Sequence, residues 1–126
     1  MPIIQIKSLP FKQHLEIEGV IEQLSRKFSS EMDISLEHIT VTWEYYLPGH
    51  YAQAGKVIPR QNKDSHPLIV ELFTPDIHNN EMIEKMFECI SNVLSEETGV
   101  NFDNIFISYR KAHSGQIFDG GKIEKW

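Results

Sequence analysis

Pro2 is the residue with the least ordinary chemistry open to it. It directly follows Met1, so removal of that methionine makes it a chain terminus with a secondary amine. Pro67, its counterpart in the matching stretches Pro2-Ile3-Ile4 and Pro67-Leu68-Ile69, is internal and stays an amide. The other reactive side chains sort quickly. His14, His38, His50, His66, His78 and His113 show no metal-ligand spacing, and surface or turn roles suffice for them. Cys89 is the one cysteine, which excludes an intrachain disulfide and fits a reducing compartment. It falls on the apolar side of a predicted helix and reads as a buried, inert thiol. Gly49, Gly55, Gly115 and Gly121 read as turn glycines, because no Lys-Ser/Thr pair follows them as a phosphate loop requires.

The chain's 126 residues suit a single domain with a real core. Its formal charge of −6 and the lack of a basic stripe argue against nucleic-acid binding. An anionic ligand therefore needs a locally positive site on a globally acidic protein. No apolar run approaches a membrane span and no signal-peptide pattern opens the sequence, so a cytoplasmic protein with no membrane partner is expected. Glu16, Glu18, Glu22, Glu81, Glu84 and Glu88 read as solvated helix faces.

These residues must be positioned by a duplicated unit. Residues 17–56 recur at 83–122 without a gap, offset by 66. The identities include Ile17/Ile83, Glu22/Glu88, Ser29/Ser95, Ile39/Ile105, Gly49/Gly115 and Gly55/Gly121, and like-for-like exchanges such as Trp43/Tyr109 fall between them. A repeat of this length is a whole supersecondary unit used twice. Pro2 to Leu9 reads as a strand, Gln13 to Met32 as an amphipathic helix, and Ile39, Val41 and Trp43 as the apolar side of a second strand. The second unit repeats this. Leu68 to Phe73 is a strand, Glu81 to Thr98 a helix capped by Asn79 or Asn80 and ended by Gly99, and Ile105 to Arg110 a strand. Residues 48–66, and 57–66 in particular, read as a linker, and 113–122 as a short hairpin.

The expected fold is therefore α/β, one domain over 1–126 with pseudo-repeats at 2–56 and 67–122. The order β-α-β-β-α-β gives a four-stranded mixed sheet with both helices on one face, each unit closing by a right-handed parallel crossover. The opposite face is expected to carry Thr40, Thr42, Glu44, Ser108 and Arg110 mixed with Ile4, Ile6 and Phe106. A half-polar open face of this kind invites closed, symmetric association.

At this point the residues resemble a family. Pro2-Ile3-x-Gln5-Ile6, the helix run Ile17-x-x-Val20-x-Glu22-x-Leu24-Ser25-Arg26, the strand Ile39-x-Val41-Thr42, then Gly49-His50-Tyr51 and Gly55 are similar to the tautomerase superfamily. Its short members, such as 4-oxalocrotonate tautomerase (4-OT), are one βαβ unit beginning with proline. Longer members, such as macrophage migration inhibitory factor, hold two. The resemblance implies a homotrimer and a cofactor-independent keto–enol tautomerase acting on a small keto or enol acid, with Pro2 as general base. A free α-amine titrates near ~8 against ~10.4 for lysine, and burial lowers it further, so it suits proton abstraction near neutral pH.

Residue by residue, the resemblance puts Lys12 where short members place an arginine that grips the substrate carboxylate. It puts Tyr51 at an apolar pocket wall and Ser108 at a polar pocket position. The family's second arginine falls on Thr40 and, in the repeat, on Phe106, which would serve as pocket wall; Arg110, further along that strand, is the candidate replacement charge. Lys12 reads equally as a solvated loop lysine and Arg110 as an ion-pair residue. Asp119 aligns with a water-activating acid of related dehalogenases, whose paired arginines fall on Pro75 and His78 here. The alternatives are therefore a hydratase or dehalogenase using Asp119, or a non-catalytic trimeric scaffold.

Overall fold

A computed structural model describes residues 1–64 and 66–126. In chain order its elements are β1 (Ile3–Ser8), α1 (Ile17–Met32), β2 (Thr40–Tyr45), β3 (Ala52–Gln53), β4 (Lys56–Val57), β5 (Leu68–Pro75), α2 (Asn80–Thr98), β6 (Ile105–Ala112), β7 (Ile117–Asp119) and β8 (Lys122–Glu124). The main sheet runs β2-β1-β5-β6. β1 is parallel to β2 and β5 to β6, while the two units meet through an antiparallel β1–β5 pair. This is the duplicated, mixed-sheet architecture that the repeat predicts. Among the described residues, no helix is long and apolar enough to cross a membrane.

The repeat is kept down to single hydrogen bonds. Trp43 Nε1 donates to Ser8 Oγ at 3.0 Å, and 66 residues on Tyr109 Oη meets Thr74 Oγ1 at 2.5 Å. Each bond ties the second strand of a unit to a buried hydroxyl near the C-terminal end of its first. Ser29 Oγ donates to Ile34 O at 2.5 Å and Ser95 Oγ to Val100 O at 2.8 Å, which accounts for that identity between the halves. Both helices end on a left-handed residue, Asp33 with φ 54° and Gly99 with φ 76°. Glycine adopts this geometry without strain, and Asp is among the few side chains that tolerate it. Asn79 caps α2 by accepting from Met82 N.

The core lies between the helices and one sheet face. Ile4, Ile6, Leu68, Val70 and Leu72 pack under Val20, Leu24 and Phe28 of α1 and Met86, Ile90 and Leu94 of α2. Ile4 and Ile6 are thus buried at 0% and 1% exposure, not on the open face expected from the sequence. Their register explains it: Ile4 pairs with Val41 and Leu72, both on the helix-covered side. The apolar members of the open face are instead Ile3, Ile69, Phe73 and Phe106, interleaved with Gln5, Glu71, Ser108 and Arg110.

Two further boundaries differ from expectation. α1 starts at Ile17, four residues late, because Glu16 offers no side-chain cap and Leu15 reaches the core from the preceding non-helical segment. Residues 48–66 are more than a linker, for they include the β3–β4 hairpin. Its turn, Ala54-Gly55 with φ 52° and 76°, matches Gly120-Gly121 of the β7–β8 hairpin with φ 60° and 82°. Two successive positive-φ residues are what a two-residue primed turn needs, hence glycine at both second positions.

Candidate active site

Pro2 is buried at the entrance to β1, its carbonyl accepting from Thr40 N at 3.0 Å. Because β5 runs antiparallel to β1, the end of β5 and everything that follows β6 lie at this same end of the sheet. Ile3 pairs with Phe73, which pairs with Arg110. Around the chain start the second unit therefore contributes the Pro75–His78 loop, Arg110 and the β7–β8 hairpin.

Electrostatics couple these groups. Burial lowers the Met1 amine below its ordinary value, and the negative charge of Asp119 partly holds it up. His78 is lowered first by burial and then by the positive charge of that amine. An amine, a carboxylate and an imidazole thus share one corner. Next to it, Asp76 accepts from Trp126 Nε1 at 2.6 Å and lies 2.6 Å from His113 Nδ1. Those two contacts, Trp126 first, hold its carboxyl below the usual range. They anchor the loop that carries His78.

The remaining sequence-predicted residues divide by location. Arg110 is in the cross-strand row of Ile3, its Nε 2.9 Å from Glu71 Oε1 and its guanidinium 5.9 Å from the Phe73 ring centre. The ion-pair reading of this residue is thus met within the chain. Ser108 and Phe106 continue the open face away from Pro2, Phe106 being 56% exposed. Lys12 and Tyr51 are at the other end. β1 separates Lys12 from Pro2 by about 20 Å at the usual rise per residue. Tyr51 packs on Tyr46 and His66, with ring centres 5.3 and 6.0 Å apart. Within one chain, neither reaches Pro2.

His78 is the residue that sequence reasoning set aside as a turn or surface histidine. The signal was available, because His78 is Lys12 displaced by the repeat offset of 66. Antiparallel joining of the units brings the second unit's copy of that position, not the first, to Pro2. Cys89 has no place in the site: it is 4% exposed in the core, and burial, with Glu31 second, pushes its thiol up to about 12. Among the described residues, no group of His, Cys, Asp and Glu is arranged to hold a metal ion.

No family model matches the chain, and no curated protein matches it in sequence. Solved structures do match in fold. An F6 fused 4-OT, a wild-type asymmetric trimer, superposes with a TM-score of 0.81 at 10% identity, over 96% of this chain and 94% of that one. Pt0534 inactivated by 2-oxo-3-pentynoate gives 0.78 at 16% identity, over 97% and 94%. A macrophage migration inhibitory factor homologue from Prochlorococcus marinus gives 0.74 at 15% identity, over 97% and 98%. The chain has the two-unit tautomerase fold over 96–97% of its length.

Proposed function

We propose that this protein is a cofactor-independent tautomerase of small keto or enol carboxylic acids, with the Pro2 amine as general base once Met1 is removed. The observation that carries the reading is the corner at the start of β1, where burial lowers an amine beside Asp119 and His78. Pro2 is itself buried, so an amine moved one residue inward stays shielded from water. The ligand in the Pt0534 structure, a small 2-keto acid by its name, supports the substrate class.

In the direction from enol to ketone, the neutral amine takes the proton from the enol oxygen and its ammonium form returns a proton to the adjacent carbon. The O–H bond breaks and its electron pair makes the C=O, while the π pair of C=C forms the new C–H bond and leaves a C–C single bond, with no net electron transfer. Arg110 and His78 grip the carboxylate and stabilise the charge that develops on oxygen. Ser108 and Phe106 line the approach along the open face. Lys12 and Tyr51, a strand length away at the other end of β1, take no part in this pocket. The test is ketonisation of phenylenolpyruvate by Met1-free protein, compared with its Pro2→Ala variant.

Asp119 gives a second handle. Its carboxylate favours the ammonium form, so Asp119→Asn lowers the amine's pKa further. Activity that depends on the neutral amine rises with pH through that pKa, so the rising limb of kcat/KM moves to lower pH in the variant. A limb that stays in place or moves up removes Asp119 from the amine's environment. A hydratase using Asp119 on water is the second reading. It is favoured if Asp119→Asn abolishes water addition to an unsaturated acid while ketonisation survives.

The assembly we propose is a homotrimer, supported by the open face that mixes Ile3, Ile69, Phe73 and Phe106 with charges, and by the trimeric fused 4-OT neighbour. Sedimentation at micromolar concentration is expected to give three times the 14.6 kDa chain mass. A monomer at that concentration removes the trimer.

A further inference from the structure

We propose that the end of the sheet opposite Pro2 holds a second binding site, for a small organic carboxylate with an apolar body. Two adjoining clefts of about 350 and 380 Å³ open there and share Lys12 and Asn62. The first is walled by Phe11, Leu15 and Val100 and also bears Lys63; the second adds Arg60.

The cationic groups stand on a built floor. Gln61, 4% exposed, accepts from Leu9 N at 3.1 Å through Oε1 and donates to His66 O at 2.7 Å through Nε2. Its own N–H donates to Pro10 O at 2.7 Å, and a parallel bridge joins it to Phe11. Lys12 and the Arg60–Lys63 segment are therefore stapled side by side, with little ordering left for a ligand to impose.

Charge decides the ligand class. Acidic residues outnumber basic ones by 18 to 12 in the chain, yet neither cleft is lined by a single Asp or Glu among the described residues. Three of the twelve cations converge here instead, and among the described residues none of them forms an ion pair. Such a cleft focuses positive potential on an otherwise acidic surface. The Pro2 end differs, since the repeat places His78 and Asp119 there where this end has Lys12 and Gln53.

Orientation follows from α2, which ends at Gly99 in the first cleft and points its partial negative charge into it. The carboxylate is repelled from that wall and settles between Lys12 and Arg60. The apolar body lies on Phe11, Leu15 and Val100. The site is complete within one chain and does not involve the Pro2 amine.

The experiment is an amide-shift titration of isotopically labelled full-length protein with phenylacetate, which cannot be turned over by keto–enol chemistry. Saturable shifts are expected at residues 11–15, 60–63 and 98–100. A Lys12→Gln/Arg60→Gln double variant, with an unchanged spectrum away from the cleft, binds at least tenfold more weakly, and Lys7→Gln binds as the parent does. Shifts absent from these segments, or a double variant with parental affinity, overturn the site. Inorganic phosphate binding as tightly as phenylacetate overturns the assigned apolar body. None of these readouts passes through catalysis, so the failure of the tautomerase reading and the failure of this one are separable.

Discussion

Protein that keeps Met1 is expected to ketonise phenylenolpyruvate about 10²–10⁴-fold more slowly than protein from which Met1 has been removed, the range that a positioned general base contributes. Retaining Met1 turns the Pro2 nitrogen into a tertiary amide, whose lone pair is delocalised and does not accept a proton near neutral pH. Pro2→Ala in Met1-free protein is the subtler case. Alanine still offers a primary amine at the same place, but it loses the ring that sets the direction of the lone pair and fills the buried position. Its loss is expected near the lower end, about 10²-fold, in kcat more than in KM. Mass spectrometry of each preparation establishes which form is assayed. Equal turnover in all three forms would sink the amine as base, and no turnover in any of them would leave the scaffold reading in possession of the fold.

Phe28→Ala is expected to cost about 3–5 kcal/mol of folding stability, the range for emptying a large core position. Phe28 is 0% exposed and belongs to the cluster in which both helices meet the sheet. The loss compares with about 5–15 kcal/mol for a whole domain, so the variant is close to unfolding at physiological temperature. Urea denaturation at one fixed protein concentration measures it, since association would add its own contribution to apparent stability. A midpoint shift equivalent to less than about 1 kcal/mol would mean that the neighbours close over the cavity.

How much of this was legible beforehand is best judged from particular residues. The Ser29/Ser95 identity told of duplication, and the structure shows the bond that each makes to a carbonyl five residues on. The exchange of Trp43 for Tyr109 likewise hides one shared contact, to Ser8 and to Thr74. Helix periodicity located the core positions of α1 and α2, and Asn79 and Gly99 marked the ends of α2. Alternation in β1 was equally clear, but a period of two distinguishes two faces without saying which one meets the helices. Ile4 and Ile6 were assigned to the wrong face for that reason, and only pairing with Val41 and Leu72 settles it.

The candidate site was less legible. Pro2 and Asp119 are separated by almost the whole sequence, and nothing local brings them together. Lys12 is near Pro2 in sequence but a full strand length away in space, while His78, far along the chain, shares its corner. Gln61 gave no sequence signal of holding the segments of Lys12 and Arg60 together, because its importance lies in partners scattered from Leu9 to His66.

By itself the sequence determined the two units, their helices and strands, and the Met1-Pro2 pair on which the proposed amine rests. Those are properties of periodicity, capping and covalent position, which short stretches of chain carry. The tertiary structure alone decided which half serves which end. The antiparallel β1–β5 junction, a long-range pairing, sends His78, Arg110 and Asp119 to Pro2 and leaves Lys12, Arg60 and Lys63 together at the opposite pole.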